Sequence, residues 1–295
     1  MEKVYFTKEI SSESLIKIYE KLDCKLEGKV AVKISTGEAG NNHYLKPSLI
    51  NDLVKKLNGT IVECNTAYEG KRNTTKDHLQ TIKEHGFTNV DLLDIDGDKA
   101  IPVVGGRHLK ENYVGKNIDN YDSMLMLSHF KGHPMGGFGG ALKNMSIGLA
   151  SSRGKAWIHS GGVERDNIWI TPQVDFIESM AEADKAVVDY FKNIVYINVV
   201  NNISVDCDCV ANPESPCMQD IGILASLDPV ALDQACLDLI YNSNDPGKEH
   251  FIERVESRKG KIILDHAEEL GIGSKKYQLI NIDDSVKSFM ENKKH

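Results

Sequence analysis

The feature that most restricts how this chain can fold is a set of short, uninterrupted apolar runs. SMLMLSHF (123–130) is the clearest of them. A run of that length without polar alternation reads as a strand covered on both faces, because side chains pointing either way must be buried. KVAVKIS (29–35), TIVECN (60–65) and IVYINVVNN (194–202) have the same character, and VDLLDI (90–95), IPVVG (101–105) and YQLINI (277–282) supply further strands. Amphipathic stretches of helix length lie among them. Residues 47–57 place Leu49, Leu53 and Leu57 on one face behind Pro47. Residues 74–85 are capped by Thr74 or Asn73 and stopped by Gly86. Residues 173–192 carry Phe176, Met180, Ala183, Val187 and Phe191 at helical spacing. Residues 228–241 open on Asp228-Pro229, and helices over 248–258 and 261–270 follow. This alternation predicts an α/β fold, a largely parallel sheet sandwiched by helices. The chain reads as a single α/β domain over 1–295, with room for a soft subdivision near 160–172.

Composition narrows the class. With 295 residues, 41% apolar and 26% charged, the chain can bury a sizeable core. Its net charge of −8 argues against a nucleic-acid or membrane-surface binder, since both need a basic face. There is no apolar run of spanning length, and MEKVYFTKEISSES lacks the apolar core of a secretory signal, so a cytoplasmic location is expected. Six cysteines are too few for a disulfide scaffold and would stay reduced in the cytosol.

The stretch HFKGHPMGGFGGALKNMSIGLASSRGKAWIHSGG begins at His129. Its glycines, Gly132, Gly136, Gly137, Gly139 and Gly140, separate the apolar strand from a helical-looking run. Glycines let backbone N–H groups approach an anion, and a following helix N-terminus adds positive potential. Neither dinucleotide nor P-loop spacing is present. Between Asp122 and Glu164 there is no carboxylate, although 43 acids in 295 residues would place about six there. The same stretch keeps Lys131, Lys143, Arg153, Lys155, His129, His133 and His159, a basic patch in an acidic chain. A glycine hinge or close helix–sheet packing would use the same glycines. Pro134 and the glycines break any helix across His129 and His133, so this pair reads as ligand-bonding or acid/base residues.

Cys207, Cys209 and Cys217 fall within one loop. In extended chain, residues two apart stand roughly 6.5–7 Å apart at Cα. That is too wide for a relaxed disulfide but a reasonable bite for a metal or two corners of an iron–sulfur cluster. Cys217 would fold back after the Pro213 to Pro216 turn. Cys64, a histidine, a water or a substrate would complete the set. Two other readings stay open: Asp206 and Asp208 holding a hard cation, or inert reduced thiols. Cys24 and Cys236 read as core residues on apolar helical faces.

Four strand ends deliver polar loops: 33–43 with Lys33, Ser35, Glu38, Asn41 and Asn42; 65–75 with Asn65, Thr66, Tyr68, Arg72 and Thr74; 129–144; and 206–217. Ligands of open parallel sheets bind beyond the carboxyl ends of the strands. The four loops make one site if their strands are neighbours.

Together, NTAYEGKRNTTKDHL with HGF, HFKGHPMGGFGGALKNMSIG, and CDC followed by DIGILASLDPVALDQACLDL resemble the uncharacterised iron–sulfur centre proteins of domain of unknown function 362. The activity of that family is not established. Many members look as if they carry a ferredoxin-like, cysteine-rich insert after the dipeptide that here is His159–Ser160. SGGVERDNIWITP stands there in this chain without a cysteine, so the resemblance implies a member lacking the insert and its paired clusters. The CDC pair is retained, while Cys217 matches no cysteine of the family.

These readings make a metal- or iron–sulfur-dependent enzyme the first expectation, with redox or Lewis-acid chemistry on an anionic small molecule or a phosphate-bearing cofactor. Cys207, Cys209 and Cys217 would hold an iron–sulfur cluster or a thiolate-bound metal. Lys131, the backbone of Gly132, Gly136, Gly137, Gly139 and Gly140, and Lys143, Asn144, Asn41, Thr66 and Arg72 would bind the anion. His129 or His133 would move protons, and Lys33 would orient substrate. Lys131→Ala is expected to weaken anion binding with little effect on stability. The alternatives are a non-enzymatic cluster- or metal-handling protein serving an oxidoreductase partner, and a metal-free protein for a phosphate-bearing ligand. Neither nucleic acid nor membrane is an expected partner.

Overall fold

The computed structural model describes residues 1–283. In chain order its elements are β1 (Glu2–Thr7), α1 (Ser12–Lys21), β2 (Val30–Lys33), α2 (Pro47–Lys56), β3 (Thr60–Glu63), α3 (Thr75–Glu84), β4 (Val90–Leu92), β5 (Asp98–Pro102), β6 (Glu111–Gly115), β7 (Ser123–His129), β8 (Lys131–His133), β9 (Gly137–Gly139), α4 (Ala141–Leu149), α5 (Ser152–His159), α6 (Gln173–Tyr190), β10 (Ile194–Val200), β11 (Gly222–Ser226), α7 (Pro229–Tyr241), α8 (Lys248–Ser257), α9 (Ile262–Glu269) and β12 (Tyr277–Asn281). Residues 284–295, which the single-domain expectation included, lie outside the described residues.

Eight strands form the main sheet in the order β12-β1-β11-β10-β7-β2-β3-β4. The run from β10 to β4 is parallel throughout, and β1 pairs β12 in parallel. Only β11 runs against its two neighbours. The expected α/β class and largely parallel sheet are therefore present. The strands show the two-sided burial that their unbroken apolar runs require. Val30, Val32, Leu125, Leu127, Val195, Ile197 and Val199 point into one core with Leu15, Ile18, Ile50, Leu53 and Ile82 of α1, α2 and α3. Ala31, Met124, Met126 and Tyr196 point the other way, into a core with α4, α6, α7 and α9.

Several local expectations need correction. The buried face of α2 is Ile50 and Leu53, with Leu49 and Leu57 only packed against its edge. The 101–105 run does not join the main sheet: β5 pairs β6 in a separate antiparallel ribbon. Cys24 follows α1 rather than lying on a helix, and its thiol donates to Asn193 Oδ1 at 3.6 Å. The glycine island is not a loose turn, because β8 and β9 pair within it as a short hairpin.

Chain order sets the site. From β2 the chain moves outward to β3 and β4, then returns as β7 on the other side of β2. The crevice of such a sheet opens where the direction of winding reverses, at the carboxyl ends of β2 and β7. Because β10, β7, β2 and β3 are parallel neighbours, all four polar loops leave from the same edge.

Candidate functional site

A cavity of about 400 Å³ occupies that edge. Its floor is built from the reversal itself. Asn144 on α4 donates from Nδ2 to Lys33 O at 3.1 Å and to Ser128 Oγ at 3.0 Å, tying the helix across the ends of β2 and β7. Lys33 is fully buried, and its ammonium donates to Ile34 O. Gly148 makes room for it: a Cβ there would stand 2.9 Å from Lys33 Nζ. Burial holds the Lys33 pKa down at about 8 against the pull of Glu63.

Glu63, at the end of β3, anchors the next wall. Arg72 Nη1 lies 3.7 Å and His78 Nε2 3.8 Å from its Oε2, and Thr36 N donates to its Oε1. Burial alone would raise this carboxyl, but Lys33, Arg72 and His78 win and bring it down to about 2. Arg72 also meets Glu38 at 3.4 Å and donates to the Tyr68 hydroxyl at 3.0 Å. Thr66 lines the cavity between these groups.

The 131–144 segment departs from its expected chemistry. The N-terminus of α4 does not wait for an anion, because the buried carboxylate of Asp233 on α7 already accepts from Ala141 N at 2.8 Å and Leu142 N at 3.0 Å. Gly132 lies against the Val205 backbone, where a Cβ would fall 2.4 Å from Val205 O. Gly137, at φ +81°, sits against Gly260, and Gly136 N donates to His133 Nδ1. Close packing and tight turning therefore explain Gly132, Gly136 and Gly137, and of these five glycines Gly139 and Gly140 line the cavity. Gly140→Ala would put a methyl group 2.3 Å from Asp233 Oδ1. We expect it to unseat this cap and cost roughly 1–3 kcal/mol in chemical denaturation. An unchanged midpoint would show that the cap tolerates displacement.

The cations are not equivalent. Lys131 donates to His129 O at 2.8 Å and pairs with Asp208 Oδ2 at 2.9 Å. It is buried and already paired with a carboxylate, unlike the unpaired anion contact expected from the sequence. We expect Lys131→Ala to destabilise the fold by roughly 1–3 kcal/mol, because it strips a partner from buried Asp208. A melting temperature within a degree of the parent would contradict this. Lys155 is spent on Ala150 O at 2.6 Å. Lys143 has no hydrogen bond or ion pair among the described residues, yet its side chain lines the cavity. Burial, followed by repulsion from Lys131, lowers its pKa to about 7. Lys33, Arg72, Lys131, Lys143 and Lys155 line the cavity against the carboxylates of Glu63 and Asp208, leaving the site net cationic.

On the opposite wall, the loop after β10 turns rather than extends. Cys207 and Cys209 have Cα atoms 5.2 Å apart and are joined as a disulfide. The extended spacing, too wide for a bond, is absent because residues 206–209 form a bend and turn. Asp208 between them is held by His129 Nδ1 at 2.8 Å and by Lys131. Burial would raise its carboxyl, but His129 and Lys131 hold it far below the usual range. His129 also reaches Asn201 O through Nε2 at 2.6 Å, so neither ring nitrogen is left for proton transfer in the cavity. Asn41 does not line the cavity; its Nδ2 donates to Val210 O at 2.8 Å and steadies the same loop.

His133, Cys207 and Cys209 bring one ligand atom each within 4.8 Å of one another, a group that could hold a metal ion. Two thiolates and an imidazole suit a thiophilic cation such as zinc once the disulfide is reduced. His133 Nδ1 accepts from Met135 N at 3.2 Å and Gly136 N at 2.8 Å, so its proton sits on Nε2 and metal uptake there must displace it. Cys207 and Cys209 are the two cysteines of this group; Cys217 and Cys64 make their bonds elsewhere. Cys217 Sγ donates to Ile203 O at 3.2 Å, outside the cavity, and Cys64 Sγ donates to Leu149 O at 3.3 Å. Burial pushes the Cys64 thiol up to about 12.

The cavity also has lining residues outside the expected site, among them Glu63, His159 and Trp169. His159 stacks on Phe176 with centroids 4.5 Å apart, and Trp169 lies 4.9 Å from it; His159 and Trp169 both line the cavity. Burial lowers His159 to about 3, so its ring is neutral. The acid-free window contained His159 and gave no reason to prefer it. Trp169 lies beyond the window, in a segment read as a soft boundary.

Fold and cavity define an α/β protein with a net-cationic cavity at the carboxyl edge of a mainly parallel sheet. Within that class the chain belongs to the DUF362 family: the family model, a domain of unknown function, matches residues 30–238. Among solved structures, the chain is similar to the lactate racemase apoprotein from Thermoanaerobacterium thermosaccharolyticum, at 17% identity and a TM-score of 0.40, over 68% of this chain and 51% of that one. It is also similar to a structural-genomics crystal structure of a protein from Thermotoga maritima, at 13% identity and a TM-score of 0.43, over 89% of this chain and 59% of that one. The chain thus spans about half to three-fifths of these longer chains. No curated protein matches it. Among the described residues, no helix is long and apolar enough to cross a membrane.

Proposed function

We propose that this chain is an enzyme that binds a small anionic molecule, carboxylate- or phosphate-bearing, with Lys143 as the principal contact, and acts on it beside His133, Cys207 and Cys209. The observation that carries the reading is Lys143: a cation without a partner among the described residues, inside a cavity with more positive than negative side chains. A buried charge left uncompensated is costly, and a bound anion removes that cost. Lys33 in the floor and Arg72 in the adjoining wall would orient the ligand, while Asn144 and Asp208 hold the walls in place. With its cysteines reduced, the His/Cys/Cys group would hold a metal ion supplying Lewis-acid chemistry, with His133 giving up its Nε2 proton on loading.

The test is calorimetric titration with inorganic phosphate and with citrate at two pH values. Lys143 must be protonated to attract the anion. Affinity should fall as pH rises through about 7 and further through about 8, where Lys33 loses its proton. The stability of the free protein should move the opposite way. Unfolded Lys143 holds its proton to 10.5 and the folded residue releases it near 7, so the unfolded chain binds more protons between those values. Stability from this group therefore rises with pH across that window. No binding of either anion at about pH 6 would overturn the assignment.

A further inference from the structure

We propose that Cys207 and Cys209 are a working dithiol–disulfide couple whose reductant is a small anionic thiol held in the same cavity. The thiol's seat rests on the anion-binding reading above; the asymmetry of the cysteine pair does not.

The two sulfurs are unequal. Cys207 is 2% exposed, whereas Cys209 is only partly buried, so an incoming thiolate meets Cys209 Sγ first. Behind it, Cys209 N donates to Cys207 Sγ at 3.2 Å. That bond favours negative charge on Cys207, the sulfur that must leave. Cys209 Sγ lies 3.9 Å from His133 Nε2, which carries the ring proton because Nδ1 accepts two backbone N–H groups. His133 is thus placed to stabilise a Cys209 thiolate when the couple is reduced.

The loop is held independently of the disulfide. Glu38 N donates to Asp208 O at 2.8 Å, the Tyr68 hydroxyl to Cys209 O at 3.3 Å, and Asn41 Nδ2 to Cys207 O at 3.4 Å. With the backbone fixed at both cysteines, opening the bond leaves the sulfurs positioned to close it again. Lys143 lines the same cavity and supplies the charge that draws an anionic thiol rather than a neutral or cationic one.

The chemistry balances in two displacements. A first thiolate attacks Cys209 Sγ, the bond to Cys207 breaks, and its electron pair stays on Cys207 as thiolate. A second thiolate attacks the bound thiol's own sulfur, forms the external disulfide and releases Cys209 as thiolate. Two external thiols lose two electrons and the cysteine pair gains them, while the two protons of the external thiols pass to solvent or to the new cysteine thiols. Only the reduced pair can join His133 in holding a metal, so this exchange also sets when the site can be loaded.

The experiment follows reduction of the oxidised protein by glutathione, a carboxylate-bearing thiol, and by cysteamine, a cationic one. Samples are acid-quenched, alkylated and weighed intact. We expect glutathione to be at least about 10-fold faster per thiolate, with the advantage lost in Lys143→Gln. In Cys207→Ser, glutathione disulfide should leave one adduct, mapped to Cys209. In Cys209→Ser, position 207 should stay unmodified. Circular dichroism confirms that each variant is folded, and the wild-type rate comparison needs no variant. Equal rates for the two thiols, a pair that resists both, or an adduct on Cys207 would overturn the proposal. Phosphate titration of the same samples separates the two readings. Phosphate binding beside an inert pair defeats the couple alone, whereas a reactive pair without anion binding and without glutathione preference defeats the anion site.

Discussion

Lys143→Gln should weaken phosphate or citrate binding by about 10- to 100-fold, while the melting temperature stays level or rises. A hydrogen bond to a charged group contributes roughly 1.5–3 kcal/mol, which sets the scale of the loss. The contrast between binding and stability follows from what surrounds the side chain. Burial and repulsion from Lys131 outweigh the attraction of Asp208, and no carboxylate among the described residues pairs with it, so removing the charge costs the free protein little. The glutamine keeps most of the volume, which limits repacking. The substitution should also flatten the fall in affinity near pH 7, leaving only the step that belongs to Lys33 near pH 8. Isothermal titration across that range, paired with calorimetric melting, decides it. A variant that binds as tightly as the parent would remove Lys143 from the site.

Glu63→Ala should have the largest effect on stability. The carboxylate is buried and serves Arg72, His78, Thr36 N and, through space, Lys33. Its removal takes a counter-charge from buried Lys33 and Arg72 and, among the described residues, leaves Glu38 as the one carboxylate paired with Arg72. Breaking a buried pair from one side costs roughly 3–5 kcal/mol. For a chain of this length, that lowers the melting temperature on the order of 10 °C. The parent should show the matching acid dependence. Folding lowers the Glu63 pKa from 4.5 to about 2, so its contribution is complete above 4.5 and is lost as pH falls through 2. The variant should lack that part of the acid-unfolding curve. A melting temperature within two or three degrees of the parent, with the same acid limb, would mean that water or Glu38 replaces the carboxylate.

Much of the scaffold could be read directly. Apolar runs without alternation identified β2, β3, β7 and β10, and capping residues located α3 and α7 at Thr74 and Asp228, both of which accept from first-turn amides. β1 and α1 also went unread, although Ser11 caps α1; the other elements that escaped have a signal that is weak or borrowed. β11 is five residues long, and its antiparallel place between β1 and β10 depends on partners distant in sequence. β8 and β9 are three residues each, too short to carry a periodicity.

The site divides in the same way. The residue types are in the sequence: an acid-free basic stretch, a CDC pair and polar strand ends. Their pairing is not. Lys131 and Lys143 differ by no sequence rule, yet Asp208 folds back onto one and leaves the other without a partner among the described residues. The glycine turn resembles an anion cradle until Asp233, more than ninety residues from the amides it caps, fills the helix N-terminus. Two cysteines at extended spacing could not meet, but a turn brings their Cα atoms to 5.2 Å. By itself the sequence determined the class of fold and the strand ends that carry the polar loops, because burial periodicity and strand ends are local properties. Only the tertiary structure decided which charge is free, which amides are taken and which sulfurs touch, because compensation of a buried group depends on whatever distant residue the fold places beside it.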